Sequence, residues 1–178
     1  MKSQKKQLLD FHVDKLTNSI ENVVTKDSFK TQILPVTPKD RKTFTKKNGW
    51  RFNWSEEFKN SDRTVYKLVI IDNIDVIQGL ISLTPCSDNI FINLIESAPF
   101  NIGKNKVYAG VPGNLVAFAC QQSFLRGTEG YVSFRAKTKL ITHYTQTLGA
   151  IHFGGHLMII STEVALKLIE KYFANEKN

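Results

Sequence analysis

The spacing of apolar residues changes once along this chain, and that change sets the fold. Val65–Ile71, Val76–Leu83 and Ile90–Ser97 are strand-like runs separated by an Asp72-Asn73 turn and a Pro85–Asn89 turn. Runs this close together pair as an antiparallel meander. Beyond residue 111 the spacing becomes helical. Pro112–Arg126 carries Leu115, Phe118, Ala119, Gln122 and Leu125 on one face and meets Gly127 at its end, the form of an amphipathic helix with a glycine stop. Tyr131–Phe134 reads as a short strand. Lys137–Leu148 is a helix with Leu140, Ile141, Tyr144 and Leu148 in step and Gly149 as its stop. Ala150–Phe153 and Leu157–Ile160 are short strands around Gly154-Gly155, and Ser161 caps a last helix over Thr162–Phe173.

Ahead of the meander, Phe29–Val36 alternates and reads as a strand. Thr37 and Pro38 start a helix in the expected manner, running to about Lys47 and ending near Gly49. Ser55–Phe58 suggests one more short helix. Residues 1–13 read as a frayed extension, and Asp14–Lys26 is ambiguous, compatible with a short helix and a turn. Helices interleave with strands only in the second half. The expected class is therefore α/β, a mixed and mostly antiparallel central sheet flanked by helices. A chain of 178 residues makes one domain with its own core, spanning 1–178.

Composition removes several classes. Two cysteines, Cys86 and Cys120, support neither a disulfide scaffold nor a Cys-rich zinc module. No apolar run approaches the ~20 residues of a membrane span. Met1–Asp10 is basic with no apolar run behind it, so a cytoplasmic setting is expected. Lys and Arg outnumber Asp and Glu by 24 to 16, a net charge of +8. Such a surface attracts polyanions: nucleic acid, anionic lipid or a phosphorylated cofactor. No nucleic-acid-binding motif accompanies the charge, which leaves nucleic acid the weaker expectation.

The segment Lys104–Val116, KNKVYAGVPGNLV, carries the most chemical information. A glycine-containing loop follows a strand and opens a helix. The first amides of a helix lack internal partners, and the helix dipole places partial positive charge there. Gly110 and Gly113 would let a diphosphate approach the main chain, with Lys104 and Lys106 just upstream. The segment lacks the Gly-Lys-Ser/Thr ending of a nucleotide-hydrolase loop and the third glycine of a dinucleotide fingerprint. The alternative is a tight turn at a helix start.

Element order and loop together resemble the GNAT-type N-acetyltransferases. That family runs strand, two helices, three strands, helix, strand, helix, two strands, and this chain follows the order from about Phe29 to Ile160, with the helix 162–173 added. The family's acetyl-CoA loop, Gln/Arg-x-x-Gly-x-Gly/Ala, is matched by Gly110-Val111-Pro112-Gly113-Asn114-Leu115-Val116. Val107 stands where Gln or Arg is usual. Pro112 stands where a small residue is usual, and proline offers no amide. The segment Tyr131–Phe134, Ala136 and Leu140–Ala150 is similar to the family's strand and helix that carry a tyrosine ahead of a Leu-Gly stop.

The resemblance implies acyl transfer from acetyl-CoA to an amine acceptor. It implies Lys106, Gly110, Val111, Gly113 and Asn114 at the cofactor, Tyr144 as the hydrogen-bond donor to the departing thiolate, and Glu96 at the end of its strand as a base. The Tyr144 tip would lie in the cleft between Ile90–Ser97 and Tyr131–Phe134. Tyr144 also fits a purely core-facing role, and Glu96 a solvent-facing one; Glu56 and Glu129 are weaker candidates. The alternatives in function are a non-catalytic member of the fold that binds acyl-CoA or a partner protein, which Val107 and Pro112 favour, and a basic nucleic-acid-associated protein. His143, His152 and His156 are expected to be structural or surface residues without a metal. Cys120 is expected to be buried and inert. Trp50, Phe52 and Trp54 form either an aromatic core plug or the border of an acceptor pocket.

Overall fold

The computed structural model describes residues 6–15, 17 and 19–173. Its strands are β1 (Ile20–Asn22), β2 (Ser28–Phe29), β3 (Thr31–Pro35), β4 (Thr64–Ile70), β5 (Gly79–Pro85), β6 (Ile90–Ser97), β7 (Tyr108–Ala109), β8 (Val132–Arg135), β9 (Ile151–His152) and β10 (Leu157–Ile160). The α-helices are α1 (Trp54–Lys59), α2 (Val111–Leu125), α3 (Ile141–Leu148) and α4 (Thr162–Phe173). The main sheet has the order β3-β4-β5-β6-β8-β10-β9, and β2-β1-β7 form a small second sheet. The pairs from β3 to β6 are all antiparallel; short loops join β4 to β5 and β5 to β6, whereas the chain between β3 and β4 carries two 3-10 turns and α1. β6 and β8 are the parallel pair, joined through α2. The class is the mixed, mostly antiparallel α/β sheet expected from the pattern.

The core follows from coverage of both faces of β6. Every residue from Ile90 to Glu96 is buried, so this strand carries no solvent face. Residues Val111–Cys120 of α2 are likewise buried without a gap. A helix apolar all round must be covered all round; α2 packs on β5 and β6, and α4 packs on α2. The helix at 162–173 thus closes the outer side of the most apolar helix.

Three expectations changed in the structure. The helix expected over 38–47 is two single turns of 3-10 helix, Pro38–Lys42 and Lys46–Asn48. The Asn48 amide donates to the carbonyls of Lys42 and Thr43, each at 3.0 Å, and the Thr45 hydroxyl accepts from the Asn48 amide nitrogen of the backbone. Such side-chain bonds compete with a continuous helix ladder. The ambiguous stretch from Asp14 contains β1, not a helix. Asn22 accepts from the amides of Val24 and Thr25, which turns the chain back toward β2. Within the residues expected to fray, Leu9, Phe11 and Val13 are instead buried in the core. Residues 1–5 of that expectation lie outside the described part.

Candidate functional site

β6 and β8 pair over two residues only, Ile90↔Val132 and Phe91↔Ser133. Beyond Phe91 they part, and the gap opens toward the start of α2. The N-terminal segment enters this gap as an extra strand. Leu9 forms a parallel bridge with Ala136: its amide donates to the Arg135 carbonyl at 2.7 Å, and its carbonyl accepts from the Lys137 amide at 3.0 Å. The alternation is that of a strand, with Leu9, Phe11 and Val13 turned inward and Asp10 and Asp14 turned toward cations.

Each step along this segment engages a different part of the cleft. The Tyr144 hydroxyl donates to the Phe11 carbonyl at 2.7 Å, and the Phe11 ring lies 4.7 Å from the Tyr144 ring, centre to centre. The Val13 amide donates to Nε2 of His143 at 3.0 Å. Asp14 accepts from the Gly110 amide at 3.1 Å and from Lys106 Nζ at 2.9 Å. The Tyr172 hydroxyl of α4 donates to the Lys15 carbonyl at 3.1 Å. Asp10 accepts from Lys137 at 2.7 Å and Arg51 at 3.2 Å. Burial pulls the Asp10 carboxyl upward, but the hydrogen bonds and charges of Lys137 and Arg51 outweigh it and hold it below the usual range.

Burying a side chain such as Leu, Phe or Val contributes about 1.5–3 kcal/mol. Ordering each residue of backbone costs about 1–2 kcal/mol. Burial of three side chains does not by itself offset the ordering of the segment, so docking depends on its hydrogen bonds.

Of the residues expected at the cofactor, Lys106 lines the cavity and Gly110 bonds Asp14, while Val111, Gly113 and Asn114 lie buried in the first turn of α2. Gly110 is the N-cap residue, with φ of 95°, a left-handed conformation suited to glycine. A Cβ there would also come 2.6 Å from the Thr17 hydroxyl. At Gly113 an added Cβ would lie 1.7 Å from the Tyr172 hydroxyl, so α4, not open space, faces this glycine. Val111 is buried. Asn114 Nδ2 donates to the carbonyls of Ser19 and Gly110 at 2.7 and 2.9 Å, tying the loop to β1.

Tyr144 is fully buried. Burial, and then the charge of Asp10, push its hydroxyl well above the ordinary tyrosine value, so it is a neutral donor at physiological pH. Glu96 is 4% exposed; its two oxygens accept from the Arg51 amide at 2.7 Å and from the Trp54 indole at 2.6 Å. It lines a cavity of about 360 Å³ between the N-terminal segment and the end of β6, with Asp10, His12, Arg51, Phe52 and Lys106 among the walls. Trp50 and Trp54 are core residues, and Phe52 alone of the three lines the cavity. Glu56 and Glu129 are exposed and line no part of it.

His143 takes the structural one of its two expected roles: its Nε2 accepts from the Val13 amide. Burial first, and then the nearby His12, lower its pKa from 6.5, favouring the neutral ring that can accept. His152 and His156 bond the carbonyls of Gly155 and Ala136 at 2.8 and 2.9 Å, and no cluster of three potential metal ligands occurs among the described residues. Cys120 is buried, and burial pushes its thiol far up.

The sequence reading passed over Asp10, Phe11, Asp14 and Tyr172. The alternation Leu9, Phe11, Val13 with Asp10 and Asp14 between was a strand signal, though too short to be assigned without its partner strand.

No family profile matches the sequence, and no curated protein does. Solved structures match the fold. Spermidine N-acetyltransferase SpeG of Vibrio cholerae, in complex with CoA and spermine, superposes with a TM-score of 0.53 at 13% identity, covering 76% of this chain and 98% of its own. AtaTR bound with acetyl-CoA gives a TM-score of 0.54 at 12% identity, covering 78% and 97%. The chain has the GNAT acetyltransferase fold. The KacTA–DNA complex also matches, with a TM-score of 0.52 at 13% identity, covering 78% and 98%. In the conformation described here an acetyl-CoA is not accommodated: Leu9–Lys15 occupy the β8 side of the gap, what remains toward the end of β6 is a cavity of about 360 Å³, and Gly113 is covered by Tyr172. No helix among the described residues is long and apolar enough to cross a membrane.

Proposed function

We propose that this chain is an amine N-acyltransferase using acetyl-CoA, at rest in a closed form. The observation that supports this reading is the parting of β6 and β8, with the start of α2 at one end of the gap and the Tyr144 hydroxyl inside it. The roles are Lys106, Gly110, Val111, Gly113 and Asn114 toward the cofactor and Tyr144 as a proton donor. Glu96, gripped by two donors, is the weaker half of the catalytic pair. The setting we propose is the cytoplasm. The test is acetyl transfer to a panel of amines: a polyamine, an aminoglycoside, a peptide amino terminus and a lysine side chain. The full chain and variants that weaken the N-terminal segment are both assayed. Transfer to any member by either protein supports the reading; no transfer by any folded variant removes it.

A second reading is favoured by a specific observation. Because Leu9–Lys15 occupy the β8 side of the gap, the chain also fits a non-catalytic member of the fold that has its own peptide where others hold a cofactor. This reading expects no binding of acetyl-CoA by calorimetry with any variant.

A further inference from the structure

The groups that hold Leu9–Lys15 are the groups that coenzyme A would call on. Coenzyme A is a diphosphate joined to an amide-bearing arm that ends in a thiol. The N-terminal segment presents the same order of chemistry. At one end the Asp14 carboxylate sits on the Gly110 amide and the Lys106 ammonium, an anion on the start of α2. In the middle, backbone amides and carbonyls hydrogen-bond to the edge of β8 and to His143. Where Tyr144 points, the Phe11 carbonyl accepts from its hydroxyl. The C-terminal helix completes the closure: the Tyr172 hydroxyl holds the Lys15 carbonyl and packs over Gly113.

We propose that Leu9–Lys15 is an intramolecular mimic of the cofactor, and that this segment and coenzyme A are mutually exclusive occupants of one cleft. The proposal rests on the acyltransferase reading for the identity of the competing ligand. Its physical content is a competition. The apparent affinity for coenzyme A equals the intrinsic affinity multiplied by the fraction of molecules in which the segment is undocked, so a segment open in one molecule of a hundred weakens binding about 100-fold. Asp14 makes the anion contact and is not itself placed to hold the cofactor. Removing its charge therefore weakens the mimic without removing a cofactor ligand.

The experiment has two arms. Calorimetry with coenzyme A compares the full chain with Asp14→Ala and with Phe11→Asp. Each variant is expected to bind about 10- to 100-fold tighter than the full chain. A synthetic peptide of residues 6–15 added to either variant is expected to weaken that binding. The second arm uses the unmodified chain and so does not depend on a variant folding. Saturating coenzyme A is expected to raise amide hydrogen exchange at Leu9 and Val13 and to leave exchange in β5 unchanged. Equal affinity in full chain and variants, with no change in exchange at Leu9 and Val13, overturns the proposal and leaves the acyltransferase reading standing. No binding by any folded protein overturns both. Tighter binding in the variants without acetyl transfer to any amine leaves the exclusivity in place and removes the enzymatic reading.

Discussion

On one side of β6 the sheet is continuous, and on the other it is interrupted. β5 and β6 pair all the way from Gly79↔Ser97 to Pro85↔Ile90, with one shift of register between Ser82 and Leu83, and are joined by a short turn. β6 and β8 hold together for two residues and then separate, and a segment more than a hundred residues before β8 in sequence docks at the β8 side of the opening. The first side is stabilised by contacts among neighbours in the chain. The second depends on a docked strand that is held by its hydrogen bonds and not by its three buried side chains alone. The contrast teaches that one sheet can hold two grades of stability, with the less stable grade at the site where a ligand would enter.

Two truncations should separate these grades most sharply. Leu80 on β5 and Leu9 in the docked segment are both almost fully buried, at 0% and 2% exposure. Leu80→Ala should lower global stability by about 2–5 kcal/mol, read as a shift of the urea midpoint at unchanged slope. Leu9→Ala should move the midpoint less, and should instead speed exchange of the amides of Leu9 and Lys137 selectively. Equal midpoint shifts with no local change in exchange would show that the two sides of β6 open together.

A smaller effect is expected from Tyr144→Phe. The ring packing against Phe11 and Phe134 is kept, and one buried hydrogen bond is lost from the Phe11 carbonyl. The stability change should be about 0.5–1.5 kcal/mol, confined to the docked segment. In an acyl-transfer assay the same substitution tests the donor role, with a rate loss at nearly unchanged affinity for coenzyme A.

The smallest effect is one of pH. The His143 pKa is lowered in the folded protein from 6.5, so the unfolded chain binds the proton more readily. The stability contributed by the neutral ring is therefore present above pH 6.5 and lost as pH falls through the lower folded value. Protonated His143 also cannot accept from the Val13 amide. Exchange at Val13, corrected for its intrinsic rate, should rise below pH 6.5 while β5 stays protected. In His143→Gln, whose side-chain oxygen can still accept, the rise should vanish.

The meander was legible because each of its strands is patterned by its own residues and paired with its neighbour in sequence. β10 and α4 were read to the residue, since Ser161 and the apolar stripe from Val164 to Tyr172 mark their boundary. The loop Lys104–Asn114 was legible as a helix start, and its position in the fold followed. What occupies the cleft was not legible. Leu9, Phe11 and Val13 alternate, but five residues of alternation without a local partner carry no information about which strand they join. Tyr172 likewise reads as one more apolar stripe residue; that it faces Gly113 depends on how α4 lies across α2. His143 was set aside because helical spacing places it off the apolar face of Tyr144, and that same offset turns it toward the Val13 amide.

The bond from Tyr144 to the Phe11 carbonyl spans 133 residues, and this distance has a consequence for the order of synthesis. Phe11 leaves the ribosome first, and Ala136, His143, Tyr144 and Tyr172, its neighbours in the finished cleft, leave last. At about 5–20 residues per second the segment waits roughly 7–27 s for Tyr144. Throughout that interval the meander can already be paired while the N-terminal strand has nothing to join. Every newly made molecule therefore carries Leu9–Lys15 unpaired until β8 and α3, which wall the cleft, have themselves emerged.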